Sequence, residues 1–195
     1  VYVGVKEVLS GYSPVKLAIV TWATAVGKKH NIDCLRKGKT HDALLKLNYK
    51  LAEKLVFSKL KITLGLDNAK TLPVAGARLS DEITTFFRSI GVPVVYGYGL
   101  TESTATVTCF EDQYEIGTVG SIMPDVQVKI GKEHEILLKG KTITPGYYKN
   151  TDANQKAFTD DGWFRTGDAG LMKDNNLILT ERLKDLFKTS NGKYI

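Results

Sequence analysis

Hydrophobic positions along this chain follow two rhythms. Val15, Ala18, Ile19, Trp22 and Val26 recur at helical spacing after Ser13 and Pro14, which predicts a helix over about 14–30. Leu44, Leu47, Leu51 and Leu55 form a second stripe, predicting a helix over about 41–57 with those leucines in a core. Past Leu64 the rhythm shortens. Residues 71–75 make a short apolar run before Gly76 and read as a buried strand. Ser80 then caps a helix carrying Ile83, Phe86, Phe87 and Ile90, with Gly91 as its stop. Residues 92–96 are the next short strand. Strand, loop, helix, strand is the order of an α/β domain with parallel strands. Ligands of such sheets sit beyond the carboxyl ends of the strands, where Gly76 and Ala77, and again residues 97–99, would lie.

From about Thr106 the pattern turns to β-structure. Residues 126–130 alternate, residues 135–139 do so less strictly, and residues 171–173 and 177–179 flank Asp174, Asn175 and Asn176, a hairpin-turn composition. One short helix, about 152–158, interrupts these strands. The expected fold class is therefore α/β: a layered α/β sheet portion followed by a small distorted β-barrel or curled sheet.

Composition narrows the classes. With 43% hydrophobic and 25% charged residues the chain is neither disordered nor fibrous. No run approaches the roughly 20 apolar residues of a membrane helix. The first residues show neither an initiator Met nor a signal-peptide plan, so a piece of a longer protein is expected. Cys34 and Cys109 lack any CxxC spacing, which points to neither a disulfide framework nor a zinc site and makes a cytoplasmic setting the expectation. The net charge of +6 is concentrated early, at Lys28, Lys29, Arg36, Lys37, Lys39, Lys46, Lys50 and Lys54. A solvated helical face explains it. A peripheral contact with anionic lipid or a polyanionic cofactor is the alternative. Nucleic acid is not expected, because no aromatic stacking pattern accompanies the charge.

Two Gly-Lys-Thr triplets, at 38–40 and 140–142, invite a phosphate-loop reading. The glycine that motif requires five residues earlier is replaced by Asp33 and Glu135, and both triplets fail. His30, His41 and His134 are too scattered for a metal cluster or a catalytic triad.

Residues 96–103, Tyr-Gly-Tyr-Gly-Leu-Thr-Glu-Ser, carry more. Gly97 and Gly99 let a ligand approach the backbone, and Tyr98 offers a flat face to a base. Thr101 can donate to phosphate oxygens, and Glu102 is a hard oxygen ligand suited to Mg²⁺. A tight turn with a capped helix would account for the same residues. Residues 161–168, Asp-Gly-Trp-Phe-Arg-Thr-Gly-Asp, add Asp168, a carboxylate that can accept from two vicinal hydroxyls of a ribose, or a turn between strands. Residues 181–195 read alone as a surface loop or linker.

Taken in order, these segments resemble the adenylate-forming superfamily of acyl-CoA synthetases, luciferases and peptide-synthetase adenylation domains. The resemblance runs through residues 74–79, 96–102, 117–120, 135–140 with 146–148, 161–168 and the closing stretch. Within that superfamily the chain looks most like a long-chain fatty acid–CoA ligase, on residues 54–60, 146–150 and 184–190. The resemblance implies an enzyme that joins a fatty acid to ATP, releasing pyrophosphate, and then transfers the acyl group to CoA with release of AMP. It implies that Tyr98 stacks on adenine, that Gly76, Ala77 and Gly99 line the nucleotide, and that Thr101 binds phosphate. Glu102 would hold Mg²⁺, Asp168 and Arg182 the ribose, and Lys184 would be a hinge. By the same resemblance, residues 1–105 are the helical and α/β portion of a large domain, 106–180 its β-barrel portion, and 181–195 the hinge and the start of a C-terminal domain. Asn191 replaces a usual glycine, His134 stands where glycine is common, and Arg78 replaces a proline. The family's glycine- and Ser/Thr-rich phosphate loop is not in this sequence, and its distal catalytic lysine would lie beyond Ile195. The fragment alone is therefore expected to be inactive. Transfer to a carrier-protein thiol in place of CoA, and a nucleotide-binding relative without chemistry, are the alternatives.

Overall fold

A computed structural model of the chain describes residues 5, 9–34, 37–76, 79–110 and 114–183. The chain divides into two compact units. The first comprises Val1–Val74, Leu79–Val95 and Asp112–Ile116, and the second Ala75–Arg78, Tyr96–Glu111 and Gly117–Ile195.

The first unit is mainly helical. Helix α1 (Pro14–Gly27) starts at Ser13, whose side chain accepts from Lys16 N, and continues as a π-helical segment, Lys28–Cys34. Helix α2 (Ala43–Ala52) is capped by Asp42, whose carboxylate accepts from Leu45 N at 2.6 Å. It runs on through a π turn (Glu53–Phe57) into α3 (Ser58–Thr63). Strand β1 (Leu72–Val74) and helix α4 (Asp81–Ser89) come next, the latter capped by Ser80 as expected, with Ser80 Oγ accepting from Ile83 N at 3.3 Å. Gly91 then turns the chain at φ +78°. Leu72 N donates to Pro93 O, so the strand–helix–strand order expected from the sequence is present.

Of the stripes read from the sequence, Ile83, Phe86 and Phe87 of α4 and Ile90 after it pack in this unit, whereas those of α1 and α2 mostly do not, Val26 excepted. Val15, Ile19, Trp22, Leu44, Leu47, Leu51 and Leu55 are all exposed. The core is instead built on Val20, Ala23, Ala52, Val56, Phe57, Leu60, Phe87, Ile90, Val92 and Val94. Close approach decides between the faces. A Cβ on Gly27 would lie 2.1 Å from Ser89 O, so the end of α1 meets the end of α4 through its smallest residues. Phe57, fully buried, fills the space this leaves.

Strand β2 (Val94–Tyr98) carries the chain into the second unit. It lies two residues later than the sequence suggests, so Gly97 and Tyr98 are strand residues rather than loop. The remaining strands are β3 (Thr108–Cys109), β4 (Ser121–Ile122), β5 (Val126–Ile130), β6 (Glu135–Gly140), β7 (Phe164–Lys173) and β8 (Asn176–Arg182), with the short helix α5 (Thr151–Ala157) before β7. The end of β2 pairs antiparallel with β3, and the order continues β4-β8-β7-β6-β5, antiparallel throughout. Ile136, Leu138, Phe164, Ala169 and Leu177 are the buried residues at its centre. The class is mixed α/β, with eight strands among the described residues.

Candidate nucleotide site

The site lies wholly in the second unit, and three strand features build it. Gly97 pairs with Cys109 and Tyr98 with Thr108. A Cβ on Gly97 would lie 2.6 Å from Thr108 O, so this pairing tolerates only glycine there. Beyond Tyr98 the chain folds back tightly. A Cβ on Gly99 would sit 1.6 Å from Ala105 O, and the return passes through Thr104 and Ala105 at φ +54° and +77°. Between them Thr101–Ser103 form one 3₁₀ turn, closed by Ser103 Oγ, which accepts from Leu100 N and donates to Leu100 O.

Asp168 is placed from the other side of the unit. The pairing of β6 with β7 slips between Glu135 and Leu137, and that of β7 with β8 between Ala169 and Gly170. Such irregularities re-aim side chains. Here Asp168 comes directly opposite Arg182. Thr166 Oγ1 donates to Ile136 O at 2.8 Å and accepts from Asp168 N at 3.0 Å, which fixes the Asp168 backbone. Glu135 holds the strand just before it, accepting from Arg165 Nη1 at 2.9 Å and from Gly167 N at 3.3 Å.

Tyr98 and Asp168, 70 residues apart, then meet. Tyr98 Oη donates to Asp168 Oδ2 at 2.8 Å, and Arg182 Nε donates to Oδ1 at 3.1 Å. Tyr98 and Asp168 are 8% and 7% exposed, while the Arg182 side chain is mostly in solvent. Burial, reinforced by the Asp168 charge and hydrogen bond, pushes the Tyr98 phenol far above its ordinary range, so it remains a donor at any working pH. Each Asp168 oxygen keeps a second lone pair for a ligand hydroxyl.

A cavity of about 290 Å³ opens here, lined among others by Gly76, Tyr98, Gly99, Asp168, Glu181 and Arg182. One wall is an aromatic ring, the glycines expose backbone, and a fixed carboxylate stands beside a guanidinium. That set suits a flat base attached to a vicinal diol. Thr101 and Glu102 do not line this cavity. They come directly after Leu100, which does, on the exposed 3₁₀ turn. Ala77 and Lys184 lie outside the described residues, as do Arg78 and Asn191.

The donor set at Glu102 fits a magnesium ion shared with phosphates. It offers one hard carboxylate, and among the described residues no group of three or more His, Cys, Asp or Glu could form an all-protein cage. Mg²⁺ commonly takes one or two carboxylates and completes its shell with phosphate and water.

Residues 18–148 match the family model for AMP-binding enzyme. The chain belongs to the AMP-binding enzyme family. Among curated AMP-binding relatives, it is 35% identical over 154 residues to the long-chain-fatty-acid–CoA ligase FadD15 of Mycobacterium bovis, covering 78% of this chain and 25% of that protein. It is 32% identical over 212 residues to long chain acyl-CoA synthetase 5 of Arabidopsis thaliana, covering 100% of this chain and 30% of that protein. The chain thus spans about a quarter to a third of the length of these relatives. Among solved structures it resembles E. coli MenE with bound OSB-AMS, at a TM-score of 0.59 and 32% identity, covering 71% of this chain and 30% of that one.

Three residues of the second unit escape a reading of the sequence alone. Thr166 anchors Asp168, Glu135 anchors Gly167 just before it, and Tyr147 donates to Glu102 Oε1 at 2.9 Å. Thr166 and Glu135 stand within motifs that the sequence displays, but their partners are set by strand register. The Tyr147 contact spans 45 residues and leaves no local signal. His30 and His41, set aside as metal ligands, instead stack on each other at 4.1 Å, and His30 stacks on Tyr49 at 3.8 Å, in the first unit.

Proposed function

We propose that this chain is the AMP-holding portion of an ATP-dependent long-chain fatty acid–CoA ligase. The observation that carries the reading is the buried Tyr98–Asp168 pair, with Arg182 alongside, on a cavity opened by Gly76 and Gly99. Names of the curated relatives support the acyl chain and the thiol. In the reaction proposed, a carboxylate oxygen of the fatty acid attacks the α-phosphorus of ATP. A new P–O bond forms, the bond to the bridging oxygen breaks, and pyrophosphate leaves. The sulfur of CoA then attacks the acyl carbonyl and AMP departs as the leaving group.

Tyr98 packs against adenine, with Gly76, Ala77 and Gly99 beside it. Asp168 accepts from the two ribose hydroxyls while Arg182 fixes that carboxylate and reaches the same sugar. Thr101 donates to phosphate oxygen. Mg²⁺, held through Glu102, would neutralise phosphate charge. Charge neutralisation and alignment are what this chemistry demands of a protein. Lys184 serves as the hinge between residues 1–180, the α/β and β-barrel portions of a large domain, and a C-terminal domain that starts within residues 181–195. On this reading the chain alone binds AMP but does not turn over, and the lysine-flanked face of Leu44, Leu47, Leu51 and Leu55 provides peripheral contact with a membrane.

The test is acceptor and acid dependence of the parent protein. Acyl-CoA formation from long-chain fatty acids, lost in Asp168→Asn, is the expected result. Equal or better use of a carrier-protein thiol would overturn the CoA assignment. Similarity to E. coli MenE favours a second reading in which the acid is not a long-chain fatty acid, and a panel of acids in the same assay decides between the two.

A further inference from the structure

We propose that Tyr147 is a positioning residue for Glu102, and that Asn154 holds Tyr147 in place for it. This rests on the reading of Glu102 as the cation-holding carboxylate.

Glu102 occupies a three-residue turn, and that turn supplies no partner for its side chain. Among the described residues, the only hydrogen bond to the carboxylate is the one from Tyr147 Oη to Oε1, at 2.9 Å. The same loop also grips the main chain of the turn. Thr144 N donates to Glu102 O at 2.7 Å, and Thr104 Oγ1 donates to Thr142 O at 2.7 Å. Residues 142–147 thus hold Glu102 by backbone and by side chain.

Tyr147 is itself fixed from behind. Its N donates to Asn154 Oδ1 at 2.6 Å, and Asn154 Nδ2 donates to Tyr147 O at 3.0 Å, so one amide of α5 grips both ends of the Tyr147 backbone. Gly146 makes this approach feasible. It lies at φ +145°, and a Cβ there would be 2.9 Å from Asn154 Oδ1. The chain of support runs from α5 through Asn154 and Tyr147 to one carboxylate oxygen, leaving the other for a cation.

Such support matters because Mg²⁺ demands near-octahedral geometry, and a single unheld carboxylate on a surface turn samples many rotamers. Outer hydrogen bonds that orient a ligating group typically change metal affinity by about 10–100-fold.

The test uses this chain with Mn²⁺ in place of Mg²⁺, reading bound Mn²⁺ by electron paramagnetic resonance in the presence of ATP. AMP affinity without metal and the thermal midpoint are measured alongside. Tyr147→Phe is expected to weaken ATP-dependent Mn²⁺ binding about 10-fold with AMP affinity and midpoint unchanged. Asn154→Ala should shift it in the same direction by less, and Glu102→Gln should abolish it. If Glu102→Gln abolishes binding while Tyr147→Phe leaves it intact, the positioning role is wrong and the reading of Glu102 stands. If Tyr147→Phe lowers AMP affinity and midpoint together with Mn²⁺ binding, the residue is merely structural and the inference is overturned. If Mn²⁺ binding is indifferent to ATP or to Glu102→Gln, the reading of Glu102 falls, and this inference with it.

Discussion

Tyr98, buried, and His30, half-buried, show how a ring's surroundings set its response to protons. Tyr98 donates to Asp168 inside the second unit, and removing its hydroxyl leaves a buried carboxylate oxygen short of a partner. Tyr98→Phe is expected to cost about 1–3 kcal/mol, read from denaturant melts. The pH dependence has a definite sign. The folded phenol titrates above the unfolded value of 10.0, so the native state binds more protons than the unfolded state above that pH. Its contribution is complete below pH 10 and is lost as pH rises, a loss that Tyr98→Phe should not show. His30 behaves oppositely. Burial lowers its titration below 6.5, the hydrogen bond to Asn31 opposes this, and the nearby charges of His41 and Lys46 add to it. The unfolded state then binds more protons in acid, so the first unit should lose stability as pH falls through 6.5. His30→Phe retains a ring to stack on His41 and Tyr49, and should flatten the acid limb of a thermal melt taken from about pH 8 to 5.

At the scale of elements, strand pairing decides what the site contains. Asp168 and Arg182 are neighbours because β7 and β8 pair in one register, and a slip of one residue would turn both side chains to the other face. Thr166 ties β7 to β6 beside that pair by bonding Ile136 O and Asp168 N. Thr166→Val keeps the shape and removes both bonds. Two buried backbone groups lose a partner, so the second unit should be destabilised by about 2–4 kcal/mol, with AMP affinity falling alongside, as calorimetry and melts would register. Helical elements teach a different lesson. In α1 and α2 Trp22, Leu44 and Leu47 face outward, while Val20, Ala23, Gly27, Leu45 and Ala52 pack inward. At Gly27 the backbone of α1 comes within contact distance of Ser89, and periodicity alone cannot tell which of two apolar stripes will meet a neighbour.

For the molecule as a whole, the second unit gathers the residues of the candidate nucleotide site and the first supplies a separate helical core. No helix among the described residues is long and apolar enough to cross a membrane. The chain carries no glycine- and Ser/Thr-rich phosphate loop, and it spans 25% of FadD15. Isolated, it is therefore expected to give no ATP–pyrophosphate exchange while retaining measurable AMP affinity, and exchange above background would contradict this.

Much of the candidate site is legible in the chain itself. Gly97, Gly99 and Asp168 advertise it, because a backbone with no room for a Cβ and a carboxylate next to a glycine leave marks in the residues themselves. The capping of α4 by Ser80 and the hairpin at Asp174 are legible for the same reason: each depends on a few adjacent residues. Beyond reach lies every fact that depends on two distant segments meeting. The sequence suggests Tyr98 as a loop residue with a free face, yet pairing with Thr108 makes it a strand residue whose hydroxyl is committed to Asp168. Tyr147 meets Glu102, and Leu44 faces solvent, for reasons of packing and register that no local pattern encodes. Local chemistry chose the residues able to hold a nucleotide, and tertiary structure alone decided which of them touch, because contact between distant segments is set by backbone approach and strand register.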